Sequence, residues 1–404
     1  MRILFVSHYF PPETGAASVR IHEFIKYLVN KGDKVIVITG FPNYPTGVVQ
    51  KSYRKKFISK EIIDGIIILR LWIYTSVKKG FLPRILNYIS FMFTAILGGI
   101  VADKYDIIVA TSPPLLVGIS GYVLSKLKRA KFIFDVRDLW PESAVAVGML
   151  NNKLLTKLSE KLENFLYEKA KKVIVATQWI RSNLIGKRVS LQKIELVTNG
   201  ADVDIFQPGK KNNEVRKRYN LSNKFVVIYT GTHGLAQGLE SVIEAARVLK
   251  SQKDIVFLMV GEGVSKPKLI QLVRLYHLEN VIFIKSQTQD LLPSFINASD
   301  IGIAPTRNIG LCKGTLPVKM FEYMACERPV ILCNEGQAKD IVVEANAGIC
   351  IKPENSKELA DAILRLYGNK TLRDEFGING RRFVVNNFSR KKLSAKFEQI
   401  LLSL

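Results

Sequence analysis

The sequence predicts an α/β chain of two Rossmann-like, doubly wound domains facing each other across a cleft. Three observations predict it. The chain has 404 residues, which at about 150 residues per domain is room for two or three. Apolar runs of strand length alternate with amphipathic runs of helix length almost throughout. The alternation weakens once, over 199–222, and then restarts, so two units of similar size are expected. The composition, 48% hydrophobic and 23% charged, is that of a folded chain rather than a disordered one.

In the first half the strand-like runs are 2–7, 34–39, 66–72, 106–110, 131–136, 172–176 and 194–197. Helix-like stretches at 16–31, 84–102, 114–129, 152–170 and 178–186 lie between most of them. Continuous β-branched runs such as Lys34-Val35-Ile36-Val37-Ile38 suit parallel strands covered on both faces. Asn199-Gly200-Ala201-Asp202, Pro208-Gly209 and Lys210-Lys211-Asn212-Asn213 are turn chemistry and read as a linker. In the second half strands are expected at 224–230, 255–260, 281–284, 300–303 and 329–332. Helices are expected at 238–250, 266–276, 289–297, 316–325, 337–344 and 356–367, then at about 371–386 and 390–402. The expected division is therefore 1–200 for the first domain, 201–222 for the linker and 223–385 for the second domain. The segment 386–404 is expected to cross back to the first.

The net charge is +24, which calls for an acidic partner: nucleic acid, an anionic membrane or a phosphorylated substrate. Residues 1–200 carry 30 Lys and Arg against 14 Asp and Glu, and residues 201–404 carry 29 against 21. The excess concentrates in 51–100, with Lys51, Arg54, Lys55, Lys56, Lys60, Lys78, Lys79 and Arg84. Such a run is either a solvated face or, beside apolar sequence, a membrane-facing one. Basic residues interleaved with an aromatic stacking platform are missing, which argues against nucleic acid. The stretch 85–101 is 17 residues without a charge. It is expected to pack in the domain or dip into the headgroup layer; it sits at the short limit for a spanning helix. Cys312, Cys326, Cys333 and Cys350 have neither CxxC spacing nor a paired His, so no metal site is expected, and reduced thiols fit the cytosol. The apolar N-terminal run is too short for a signal peptide, so the chain is expected on the cytoplasmic side.

Ligands of open α/β sheets bind outside the carboxyl ends of the strands, so four post-strand segments are the candidates. After strand one, Gly15 and small residues open a helix where N–H groups can meet a phosphate, with Arg20 inside it. The alternative is an ordinary strand–helix turn. After 131–136, Asp135, Arg137, Asp138 and Glu142 crowd a buried strand end, either to act or to form a salt-bridge cluster. After 224–230, Gly231, Thr232, His233, Gly234 and Gln237 make a glycine-rich loop that could cradle a diphosphate. In Lys313-Gly314-Thr315-Leu316-Pro317-Val318-Lys319, Pro317 suits a helix start. Lys319 and Glu322, three apart, share a face: a cation for phosphate and a carboxylate for ribose, or else a surface ion pair.

Together these segments resemble the GT-B glycosyltransferases, specifically retaining family 4, which builds surface polysaccharides, and within it the O-antigen, capsule and colanic-acid branch that includes fucosamine-type transferases. The resemblance covers essentially the whole chain. It implies a nucleotide-sugar donor, a UDP-sugar, held by the second domain and a lipid-diphosphate-linked or polysaccharide acceptor against the first. It implies retention without a metal or other cofactor, and electrostatic stabilisation of the leaving diphosphate. The diphosphate would meet Gly15, Arg20, Gly231, Thr232, His233, Gly234, Gln237, Lys313, Leu316 and Lys319. Glu322 would bind ribose. Gly261, Glu262, Ser286 and Gln287 would border the base, and Gly314 and Thr315 the donor sugar. Asp138, Arg137, Asp135 or Glu142 would serve the acceptor. The chain departs from the family pattern at three places: Arg137 stands where a His is usual, Gln237-Gly238 where Lys-Gly is usual, and Gly314 where the first of two glutamates is usual. An epimerase on the same fold, or a non-catalytic nucleotide-sugar binder, is the competing reading. The basic and apolar first domain implies an anionic membrane partner, with the enzyme peripheral to the inner face of the cell membrane.

Overall fold

Parallel pairing dominates both halves of the computed structural model, which describes all residues except 14, 45, 79, 147, 149 and 151. Thr14 of the first glycine loop and Lys79 of the basic stretch therefore lie outside the described residues. The chain forms two units, 1–198 with 393–404, and 199–392.

The first unit holds β1 (Arg2–Val6), β2 (Lys34–Gly40), β3 (Ile58–Ile63), β4 (Ile66–Leu71), β5 (Ile107–Ser112), β6 (Lys131–Val136), β7 (Lys172–Val175) and β8 (Ile194–Leu196). Their order is β3-β4-β2-β1-β5-β6-β7-β8. Only β3 runs antiparallel to its neighbour. Helices α1 (Ala16–Asn30), α2 (Phe81–Ile100), α3 (Val117–Lys128), α4 (Glu142–Ala146), α5 (Lys153–Lys169) and α6 (Gln178–Gly186) connect them. In β1, Leu4 and Val6 enter one apolar core while Ile3 and Phe5 enter another. Strand side chains alternate between faces, so a sheet covered on both sides needs an unbroken apolar run. Strand β3 is absent from the sequence reading. It is a sheet edge whose residues alternate between exposed and half-buried. Its hairpin turn is Asp64-Gly65, both at positive φ, the pair that a two-residue turn favours.

Helix α2 takes in the 85–101 stretch up to Ile100 and begins earlier than expected. Phe91, Ala95, Gly98 and Gly99 form its buried face. A β-carbon on Gly98 would stand 2.8 Å from Leu71, and one on Gly99 2.5 Å from Leu124, so glycine allows close packing on β4 and α3. Among the described residues this is the one helix long and apolar enough to cross a membrane; here it packs by one face. The C-terminal residues Leu393, Phe397, Ile400 and Leu401 complete the core under β1, with Phe397 stacked on Phe24 at 4.7 Å.

The second unit holds β9 (Phe225–Thr230), β10 (Ile255–Val260), β11 (Val281–Ile284), β12 (Ile301–Pro305), β13 (Val330–Cys333) and β14 (Gly348–Ile351), in the order β11-β10-β9-β12-β13-β14. Its helices are α7 (Glu214–Arg218), α8 (Glu240–Val248), α9 (Lys266–Leu275), α10 (Leu292–Asn297), α11 (Val318–Ala325), α12 (Gln337–Glu344), α13 (Ser356–Gly368) and α14 (Lys370–Asn387), with α15 (Arg390–Leu402) continuing into the first unit. The expected linker is corrected. Ala201, Phe206, Val215 and Leu221 are buried in this unit's core. From α7, Arg216 donates to the carbonyls of Ala298 and Leu221 and to Asp300. Polar turn residues hide a segment most of whose apolar side chains point inward, Ile205 being the exposed exception. Strand order reverses at β1/β5 in one sheet and at β9/β12 in the other. Those switch points are where open sheets bind ligands.

Candidate functional site

In the first unit the loop after β1 ends at Gly15, which precedes α1. Among the described residues a β-carbon there would meet nothing within 4 Å. The Arg20 guanidinium is buried, donates to the carbonyls of Thr198 at 2.6 Å and Val197 at 2.7 Å, and lies 3.5 Å from Asp135. These bonds occupy much of the guanidinium, so Arg20 serves here to tie α1 to the 197–198 backbone and to Asp135.

Asp135 is fully buried at the end of β6 and accepts from Thr111 at 2.9 Å. Its carboxylate is shielded from solvent and lies between Thr111 and Arg20, which fits the salt-bridge alternative better than direct contact with an acceptor. Arg137 donates to the same Thr111 hydroxyl at 3.1 Å. Its pKa is pushed down to about 10 by burial. Asp138, only partly buried, has its pKa pushed up to about 6 by desolvation, against the pull of Ser143 and Arg137. Glu142 from α4 pairs with Lys187, which also holds Glu163. That makes Glu142 part of an ion cluster, as the salt-bridge alternative has it. Of the four candidates, Asp138 and Arg137 remain partly open.

In the second unit, Gly231, Gly261 and Ser286 follow β9, β10 and β11, three neighbouring strands. The first two loops are stitched together: His233 N–H donates to Glu262 O, and Ser265 N–H donates to His233 O, each at 2.9 Å. Gly261, at φ +150, is required there, since a β-carbon would stand 1.9 Å from Gly231 O. The His233 ring is buried between Tyr229 and Phe283. Burial and the charge of Lys266 bring its pKa down to about 4. The ring is therefore neutral and inside rather than facing the loop's open side, and the backbone of His233 serves to join this loop to the next. Thr232 is exposed, and its carbonyl accepts from the Tyr229 hydroxyl at 2.6 Å. The Gln237 amide oxygen lies 2.6 Å from where a β-carbon of Gly234 would be. Glu262 is paired with Lys266 at 2.7 Å, while Ser286 is exposed and Gln287 half-buried.

Helix α11 follows β12 and begins after Pro317. Its second residue, Lys319, carries its ammonium 4.8 Å from the Tyr229 ring centre and over Gly231, whose missing β-carbon leaves room for the Lys319 stem. Partial burial pushes its pKa down to about 8, opposed by Glu322. One turn on, Glu322 is 8% exposed, its pKa raised by burial and opposed by Arg390, 3.9 Å away. Lys319 and Glu322 thus lie one turn apart on α11, and the fold sets Lys319 against Gly231. Lys313 is exposed and 3.9 Å from Glu335. Gly314 is buried in a tight turn, Thr315 is exposed, and Leu316 turns its side chain into the core.

Sequence reasoning missed Arg390, which closes the site from a distant helix, and Tyr323, whose hydroxyl accepts from Thr230 N–H at 2.8 Å. It also missed Arg307, whose N–H donates to Ala236 O and whose side chain flanks Gly238. Only the basic residue itself could have signalled Arg307, as a cation after a strand. Among the described residues no group of three His, Cys, Asp or Glu is arranged to hold a metal ion.

Comparisons with known proteins fit this geometry. The family model for glycosyl transferases group 1 matches 211–383, and the glycosyl transferase 4-like domain matches 15–200. WcaI of Escherichia coli (strain K12), named as a colanic acid biosynthesis glycosyl transferase, is 24% identical over 90% of this chain and 91% of its own. HepE of Anabaena, solved in complex with UDP and glucose, superposes with a TM-score of 0.77 at 16% identity, covering 100% of both chains. Sucrose-phosphate synthase from Thermosynechococcus elongatus superposes with a TM-score of 0.76 at 18% identity over 100% of this chain and 98% of that one. With matching models over both units and this layout of sheets, the chain belongs to the group 1 glycosyltransferases of GT-B fold.

Proposed function

We propose that this glycosyltransferase moves a hexosyl or N-acetylhexosaminyl group from a UDP-sugar to a lipid-diphosphate-linked or polysaccharide acceptor in surface-glycan assembly, with retention and without a metal. The second unit takes the donor and the first the acceptor, on the cytoplasmic side of an anionic membrane. The observation that carries the reading is Lys319. It is a partly buried ammonium over a glycine loop, with no hydrogen bond or ion pair among the described residues, beside a buried carboxylate one turn away. A cation so placed fits a diphosphate, and Glu322 fits ribose hydroxyls. Lys319 and the free N–H groups opening α11 would stabilise the leaving nucleotide, the charge a metal supplies elsewhere. The names of WcaI and of the UDP-bound HepE support the glycan class and the base.

The test is Glu322→Gln in full-length protein. Loss of a charge-assisted bond worth about 1.5–3 kcal/mol lowers transfer efficiency and UDP affinity about 10- to 100-fold, with the melting temperature little changed. Turnover equal to the wild type removes the site assignment. A thermal-shift screen reads the base, since a ligand bound only by the native state raises apparent stability. UDP is expected to stabilise and GDP not.

A further inference from the structure

The basic stretch at 51–60 is not used by the donor site, yet it lines a cavity of about 300 Å³ in the first unit. Tyr53, Phe57 and Trp72 supply aromatic walls, and Arg54, Lys55 and Lys56 supply charge. The walls are braced. Trp72 N–H donates to Phe57 O at 2.8 Å, and the two rings lie 5.9 Å apart. Tyr53 stacks on Phe41 at 5.2 Å, with the Arg70 guanidinium 5.8 Å from its ring and bonded to Glu61. Phe57 is 77% exposed and Trp72 40%. Large aromatic faces left to water on a braced wall are the mark of a surface built to be covered.

No carboxylate lines this cavity, and none of the three cations makes an ion pair among the described residues. Arg54 reaches only the Val49 carbonyl, at 3.4 Å. Aromatic faces receive the apolar C–H face of a ring, and unpaired cations receive the oxygens of a phosphate. Nucleotides also use both, and this cluster does interleave basic with aromatic residues, contrary to the expectation from the sequence; in a chain with glycosyltransferase domains over both units, the ligand class that uses both is a phosphorylated saccharide. Position agrees. Phe41 follows β2, while Trp72, Ile73 and Thr75 follow β4, so the cavity opens at the same carboxyl edge of the sheet as Asp138 after β6. The order β4-β2-β1-β5-β6 puts three or four strand steps between them, roughly 14–19 Å. That spacing leaves room for sugar residues between the bound phosphate and the hydroxyl being glycosylated.

We infer that this cavity is an outer acceptor subsite that binds the sugar–phosphate portion of a phosphorylated saccharide. The inference rests on the transferase reading, but its test does not depend on the donor. Calorimetry on the full chain uses glucose 1-phosphate, glucose, inorganic phosphate and phosphatidylglycerol vesicles as probes, with UDP present at saturation and in a parallel series without it. Glucose 1-phosphate is expected to bind, and the double variant Arg54→Gln, Lys56→Gln to weaken it at least tenfold. Trp72→Ala weakens glucose 1-phosphate but leaves inorganic phosphate unchanged. Glucose gives no measurable heat. UDP binds the variants as it binds the wild type, which shows that they are folded.

Equal affinity for glucose 1-phosphate in wild type and double variant overturns the inference. So does a Trp72→Ala variant that binds it normally, because the site is then only an anion patch. Vesicle binding lost in the double variant, with no glucose 1-phosphate binding in the wild type, overturns it in favour of a lipid headgroup. If the wild type fails to bind UDP, the donor reading fails, and the series without UDP still decides the cavity.

Discussion

Lys319 carries a direct consequence for pH. Its pKa of about 8 lies below the usual lysine range because burial disfavours the charged form. The ammonium is charged below pH 8 and is lost above it, so diphosphate binding weakens as pH rises. If only the charged form binds well, UDP affinity falls about tenfold between pH 7 and pH 9, with proton uptake on binding at the higher pH. Calorimetry across that range reads both. Lys319→Arg, charged throughout, flattens the profile, and a wild type with a flat profile separates Lys319 from the diphosphate. Asp138 predicts the opposite limb. With its pKa pushed up to about 6, a carboxylate that serves the acceptor hydroxyl is protonated as pH falls below 6. The efficiency of transfer then drops about tenfold per pH unit. Asp138→Asn removes that limb and lowers the rate at all pH values; an unchanged acid limb in the variant assigns it to another group.

At the scale of elements, the short helix α7 shows what holds a segment that reads as linker. Arg216 and Asp300 are both almost fully buried, and Asp300 also accepts from Val226 N–H at the start of β9. Arg216→Ala leaves that carboxylate with the Val226 N–H and the half-exposed Lys211 as its partners. Breaking a buried pair costs about 3–5 kcal/mol, and Lys211 keeps the loss near the lower end. Denaturant unfolding that shows under about 1 kcal/mol of loss would contradict this account of α7. The same contrast explains what was legible. Strands buried on both faces, such as β1 and β9, announce themselves as unbroken apolar runs. The edge strand β3, with charged Lys60 and Glu61 in its middle, does not. Glu322 and Lys319 were legible because i,i+3 spacing on one helix fixes a shared face. Arg390, Tyr323 and the burial of Arg20, Asp135 and His233 were not. They depend on which side chains the fold brings from distant segments, and one sequence carries no record of those contacts.

At the scale of the molecule, the +24 charge and helix α2 belong to one argument. At about 100° per residue, Leu82, Leu86, Phe93, Leu97 and Ile100 fall within about 60° of one another. All five are exposed, opposite the face that buries Phe91, Ala95 and Gly98. An apolar stripe turned away from its own core, in a unit rich in Lys51, Lys60 and Lys78, has the make-up of a surface that enters the headgroup layer of an anionic bilayer. The two contributions separate experimentally. Each basic residue near the surface adds about 1 kcal/mol that salt screens, while the stripe adds an apolar part that salt leaves intact. In flotation with phosphatidylglycerol vesicles, Leu97→Asp with Phe93→Asp is expected to lower binding more than tenfold at every salt concentration. Lys51→Gln, Lys60→Gln and Lys78→Gln together lower it at low salt and converge on the wild type at high salt. UDP binding stays at the wild-type value in both sets, since every substituted side chain belongs to the first unit. Vesicle binding by the wild type that is indifferent to the stripe would leave α2 as a packing helix alone, and the excess charge of the first unit would then have to be assigned to its acceptor.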